Sequence, residues 1–199
     1  LSDHARPIAS YLRLGVEHLL FGVDHILFVV GLILLVSGAW MMLKTITAFT
    51  VAHSITLVLS VFGLFYVPQA PVEAIITLSI VFLARELMLP LNQRSVLTMS
   101  KPWLIAFAFG LLHGFGFAGA LAGIGLPQDQ LALSLFLFNL GIEIGQLLIV
   151  SLMLVAGWLL NKYWGKEALE LTAMRWTVVL AMGSVAAYWS LDRILKIIV

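Results

Sequence analysis

Six stretches of apolar sequence, each about as long as a bilayer is thick, leave this 199-residue chain one environment in which to fold. They run roughly over 14–37, 41–66, 71–90, 103–125, 131–160 and 171–191. A helix needs about 20 mostly apolar residues to cross the hydrocarbon core. Lipid offers no partner to bare backbone, so a helix is expected in every stretch. The breaks fall where the chain carries turn formers or charge: Ser37-Gly38, then Val67-Pro68-Gln69-Ala70-Pro71, then Asn92-Gln93-Arg94, then Gly125-Leu126-Pro127-Gln128-Asp129, then Lys162 to Glu170. The expected fold class is all-α, a polytopic bundle of six transmembrane helices forming one domain over 14–199. Residues 1–13 form a polar extracytoplasmic segment that starts with Leu1 and reads as the tail of a removed or preceding region. It lacks the apolar stretch of a signal peptide.

Composition agrees. The chain is 62% hydrophobic and 11% charged, where a soluble domain would carry about a quarter charged residues. A net charge of +1 excludes nucleic acid as a partner, since that needs a basic face. The lipid bilayer is the partner expected first. Cysteine is absent, so any metal must be held by imidazole, carboxylate, amide or water, which favours borderline or hard cations over Cu(I). Lys44, Arg85, Arg94, Lys101, Lys162, Lys166 and Arg175 fall on one face of a six-span bundle, and Arg6, Arg13, Arg193 and Lys196 on the other. The positive-inside rule then places both termini outside the cytoplasm.

The informative residues are those that lipid should exclude. His25, His53, His113 and Glu143 each lie near the middle of a separate span. One carboxylate at that depth costs roughly 2.5–3.5 kcal/mol on insertion scales, so four helices bringing ionisable groups to one depth points to a functional site. Span one carries two acid–His pairs, Glu17-His18 and Asp24-His25, seven residues apart on one stripe. On a straight helix the two imidazoles stand about 10 Å apart. An ion bonded at about 2.0–2.1 Å reaches only one of them. That spacing predicts two stations along a path, or alternatively two buried His–acid hydrogen bonds that tie the span to its neighbours. Asp24 has two readings as well, as a ligand or as the acceptor for an imidazole N–H.

Supporting polar residues line two further spans. Thr47, Thr50, His53 and Ser54 make one polar face, and Asn139, Glu143 and Gln146 another. Hydroxyls and amides in membrane helices commonly bond the preceding turn or join helices, and that role competes with a functional one at Thr47, Thr50, Ser54, Asn139 and Gln146. Gly110/Gly114 and Gly119/Gly123 are small-x-x-x-small pairs. The first would bring His113 close to another helix. Glu73, Arg85 and Glu86, near the ends of span three, read as snorkelling or surface-paired groups.

Four patterns together resemble one family. Gly15-x-x-His18-x5-Asp24-His25, Thr47-Ala-Phe-Thr50-x-x-His53-Ser54, Phe109-Gly-Leu-Leu-His113-Gly114 and Phe138-Asn139-x-Gly-x-Glu143-x-Gly-Gln146 resemble the HupE/UreJ proteins, over about residues 14–150. Phe117-Ala118 and Ala120 stand where that family carries a second His-Gly and a Glu, as in a divergent branch. The resemblance implies a small bacterial inner-membrane protein that accompanies hydrogenase or urease genes and passes nickel or a related divalent cation. It assigns metal passage to His18, Asp24 and His25. It also suggests an extracytoplasmic domain or metalloenzyme maturation factors as partners.

The function expected is therefore a permease for a divalent transition-metal cation, Ni2+ or Zn2+ first. Its metal residues would be His18, Asp24, His25, His53, His113 and Glu143, supported by Glu17, Thr50, Ser54, Asn139 and Gln146. No phosphate-binding loop suggests ATP use. The rival is an intramembrane zinc hydrolase, three imidazoles holding the ion with Glu143 or Asp24 as catalytic base. No His-Glu-x-x-His pair is present for it.

Overall fold

A computed structural model describes residues 5–65, 67–124, 130–164 and 172–198. Among these residues every regular element is helical. The chain runs α1 (Ala5–Phe21), α2 (Val23–Leu35), α3 (Ala39–Val61), α4 (Gln69–Met88), a 3-10 turn at Leu91–Gln93, α5 (Val96–Ser100), α6 (Pro102–Ile124), α7 (Leu131–Trp164) and α8 (Thr172–Ile198). The expected connection at 125–129 lies outside the described residues, as does the 165–170 part of the one expected at Lys162 to Glu170, whose first residues continue α7. Helices stand at all six places read from the sequence, but crossing length is a narrower property. Among the described residues three helical stretches are long and apolar enough to cross a membrane: Ala39–Val61, Leu131–Leu159 and Arg175–Ile198. A fourth arises if Ala9–Phe21 and Val23–Leu35 count as one broken span. Helix α4 carries Glu73, Arg85 and Glu86 within its length, and the apolar stretch described in α6 is the shorter Pro102–Gly116.

The first span departs most from expectation. It is not one straight helix over 14–37 but two, bent by 75° at Gly22. The helix also starts earlier, at Ala5. Arg13 and Glu17 pair at 2.7 Å on its exposed face, so polar residues before position 14 belong to an amphipathic helix. Gly22 adopts an extended conformation and stands at the N-cap of α2. Glycine lowers helix propensity by about 1 kcal/mol, and Asp24 in the first turn of α2 suits the positive end of the new helix dipole. Neighbouring packing completes the bend. Helix α1 lies along α7, whereas α2 turns away to lie against α4.

Close approach of backbones sets the rest. A Cβ on Gly15 would overlap the Phe138 carbonyl oxygen, and one on Gly141 the Leu12 carbonyl oxygen, so α1 and α7 meet almost backbone to backbone. Gly110 and Gly114 do the same for α6 against α3, where a Cβ would overlap the carbonyl oxygens of Phe49 and His53. That pair brings His113 against the centre of α3, as its spacing suggests. The second pair, Gly119 and Gly123, falls outside the residues whose surroundings are described. Three apolar clusters then fill the bundle. Phe28, Phe49, Leu83, Ala106 and Met182 join α2, α3, α4, α6 and α8. Leu19, Leu57 and Phe138 join α1, α3 and α7, and Val29, Ile46 and Val150 join α2, α3 and α7.

Candidate metal centre

The bend at Gly22 places the last turn of α1 beside the first turn of α2. His18 therefore meets His25, their ring centroids 4.7 Å apart. His53, from the middle of α3, completes a trio: one ring nitrogen from each of His18, His25 and His53 lies within 4.8 Å of the others. The straight-helix separation of about 10 Å is thereby overturned, and with it the idea of two stations on span one. A tetrahedral ion bonded at about 2.0–2.1 Å would hold its donors about 3.4 Å apart, so the trio must draw in by roughly an ångström to grip one.

Hydrogen bonds determine which nitrogens can bind. Asn139 donates Nδ2 to the Leu135 carbonyl at 2.8 Å, which leaves its Oδ1 to accept the Nδ1–H of His53 at 3.0 Å. His53 is thus held as the tautomer with a lone pair on Nε2, and that atom is buried with no partner among the described residues. His25 follows the same logic: its Nδ1 lies 3.1 Å from Asp24 Oδ1, and its buried Nε2 is left over. Asp24 orients the imidazole in this arrangement, the second of the two roles open to it.

His113 comes from α6, its ring centroid 5.2 Å from that of His25. Ser79 donates to the Ile76 carbonyl at 2.6 Å, so its oxygen accepts the Nε2–H of His113 at 3.3 Å. The lone pair then sits on Nδ1, buried and without a partner among the described residues. Phe28 and Phe49 pack on the same imidazole with centroid distances of 5.2 and 5.1 Å, an apolar wall on that side of the cluster. Nothing in the spacing of span three marks Ser79 as the residue that fixes His113.

A cavity of about 170 Å³ opens onto the cluster and is lined by His18, Asp24, His25 and His113 on one side. Gln69, Glu73 and Arg193 line it at the end where α4 begins and α8 finishes. Glu73 accepts from Arg193 at 3.1 Å and from Gln69 at 3.1 Å. Sequence reading left Glu73 as a surface-paired group and passed over Arg193, because nothing local relates residues 120 positions apart.

Other candidates lie elsewhere. Glu17 is engaged with Arg13 on the surface of α1. Glu143 is half-buried on α7 and accepts from Thr47 at 2.7 Å. Thr50 donates to Gln146 at 3.0 Å, and Ser54 to the Thr50 carbonyl at 2.7 Å. Asn139, Glu143, Thr50 and Ser54 line a second cavity of about 320 Å³ between α3 and α7. The expected convergence of His25, His53, His113 and Glu143 thus takes another form, with three imidazoles and His113 on one side and Glu143 with its hydroxyl donor on another.

The sequence pattern of the family described as HupE / UreJ protein matches residues 2–193. No curated protein and no solved structure matched the chain.

Proposed function

The chain belongs to the HupE/UreJ family, and on that footing we propose that it is a membrane permease for a divalent transition-metal cation, nickel or a close relative. The family is linked to nickel and cobalt accessory function. The observation that carries the reading is the trio itself: His18, His25 and His53 within 4.8 Å, the first two from a helix broken inside the apolar part of the chain and the third from α3. Irregular backbone at membrane depth is tolerated only where it is buried in protein or lines a cavity, and broken helices with their ends turned to an ion are a recurring device of transporters.

In this reading α4 and α6 also cross, giving six passes with both termini outside the cytoplasm of a bacterial inner membrane. The test is Ni2+ and Co2+ binding by calorimetry, followed by uptake into proteoliposomes loaded with a metal-sensitive dye. Binding without uptake would sink the permease reading.

One observation favours a second reading, an intramembrane zinc hydrolase. Three imidazoles leave a fourth position for water, and Asp24 lines the adjoining cavity. Such an enzyme retains one zinc per chain through purification. Loss of metal on desalting, with uptake intact, decides for the permease.

A further inference from the structure

His53 links the linings of two cavities. It completes the trio whose other members, His18 and His25, line the first, and its Nδ1 is bonded to Asn139, which lines the second together with Glu143. Thr47 continues the line. It donates to Glu143 and also lines a third cavity of about 380 Å³, where Lys44 and Trp103 stand near the beginnings of α3 and α6. Polar side chains therefore succeed one another from Gln69 at one end of the bundle, through His25 and His53, to Asn139, Glu143 and Thr47.

We propose that Glu143, with the oxygens of Thr47, Thr50 and Asn139 around it, is a second cation station, composed of oxygen ligands alone and reached from the histidine trio past His53. The proposal rests on the permease reading and adds to it the next stop of the ion. Ligand chemistry gives the order. Imidazole suits nickel, cobalt and zinc, whereas carboxylate, hydroxyl and amide oxygens hold these ions less tightly and suit harder cations. An ion passed from nitrogen to oxygen ligands is passed toward release.

Glu143 is also hard to explain otherwise. A carboxylate on an apolar helix is retained at a cost, and among the described residues its hydrogen-bond partner is a single threonine hydroxyl on one oxygen. Joining α3 to α7 does not require it, since Thr50–Gln146 and His53–Asn139 already join the same two helices.

The experiment uses Co2+, whose visible spectrum distinguishes nitrogen-bound from all-oxygen octahedral ions, with the full chain in nanodiscs. His25→Ala removes a trio imidazole, and this variant should still bind Co2+ weakly with an all-oxygen spectrum. The double variant His25→Ala/Glu143→Gln should lose that spectrum. Glu143→Gln alone should keep the nitrogen-bound signal at wild-type affinity while Co2+ uptake falls about tenfold or more. A double variant that binds like His25→Ala, or normal uptake by Glu143→Gln, overturns the second station. Glu143→Asp guards against misfolding: it keeps the carboxylate, so it should restore the oxygen-bound signal, and failure to do so in a folded protein also counts against the proposal. Retention of the nitrogen-bound spectrum by His25→Ala would instead overturn the trio, a separate failure.

Discussion

His18 and His25 are seven residues apart on what reads as one span, yet their rings meet edge to face with centroids 4.7 Å apart. The cause is Gly22, where the helix stops and restarts with a bend of 75°. Two imidazoles that a straight helix would hold at different depths become neighbours in one site, with His53 as the third.

Gly22→Ala tests that cause. An added Cβ would stand 2.6 Å from His25 Nδ1 and 2.9 Å from the His18 carbonyl oxygen. Alanine also favours a continuous helix by about 1 kcal/mol, which would move the two rings apart. Ni2+ affinity is expected to fall by about 10–100-fold, the usual effect of disturbing the support of a ligand, with helix content by circular dichroism unchanged. Unaltered affinity would show that the bend does not set the site.

A histidine scan separates the trio from its surroundings. His18→Ala, His25→Ala and His53→Ala should each abolish stoichiometric Ni2+ binding, because two imidazoles remain from a set of three. His113→Ala should weaken binding without abolishing it, since His113 borders the same cavity but stands outside the trio. Calorimetry on the four variants decides, and equal loss at all four would enlarge the ligand set.

Much of this fold was legible because membrane segments follow simple length and composition rules. Ser37-Gly38 and Pro68 mark turns that are present, and the Gly110/Gly114 spacing foretold the close approach of α6. The bend at Gly22 was not legible. Glycine is common in membrane helices, and what turns α2 away from α1 is packing against different partners, α4 and α7. The early start of α1 was hidden by Arg13 and Glu17, whose exposed pair resembles a polar tail when read one residue at a time. Depth along each span groups His25, His53, His113 and Glu143 together. It could not say which face each presents, so Glu143 was grouped with imidazoles although Thr47, 96 positions away, holds it elsewhere.

Asn139 and Asp24 supply paired tests of tautomer control. Asn139→Leu removes the acceptor for His53 Nδ1–H, freeing the ring to place its proton on either nitrogen. Asp24→Asn removes the charge beside His25 but leaves an amide oxygen that can still accept. Both should weaken Ni2+ binding, by about 10–100-fold if each acts through its imidazole, with Asn139→Leu the more damaging of the two. Nitrogen-15 spectra of the histidine rings should show mixed tautomers at His53 in Asn139→Leu, and a single tautomer there would refute the mechanism.

Topology can be read with single cysteines, since the chain has none of its own. Cysteine at Gln69 and at Gln128 should react with an impermeant maleimide from the periplasmic side, and cysteine at Arg94 from the cytoplasmic side. Labelling of all three from one side would refute six crossings with both termini outside.

Proton competition gives the last prediction. An imidazolium has no lone pair, so a metal bound by the trio must displace any proton held on the nitrogens it uses. His25 and His53 commit Nδ1–H to Asp24 and Asn139, which leaves Nε2 as the one nitrogen at which proton and metal compete. Lowering the pH therefore opposes binding, and raising it favours binding until the rings are neutral. Affinity for Ni2+ should climb with pH for as long as the free rings carry a proton, and level off once they are neutral. Calorimetry in buffers of different ionisation enthalpy counts the protons released directly. Release should be greatest at the acid end and vanish on the plateau, whereas affinity that rises as the pH falls would mean that the ion is not held by these imidazoles.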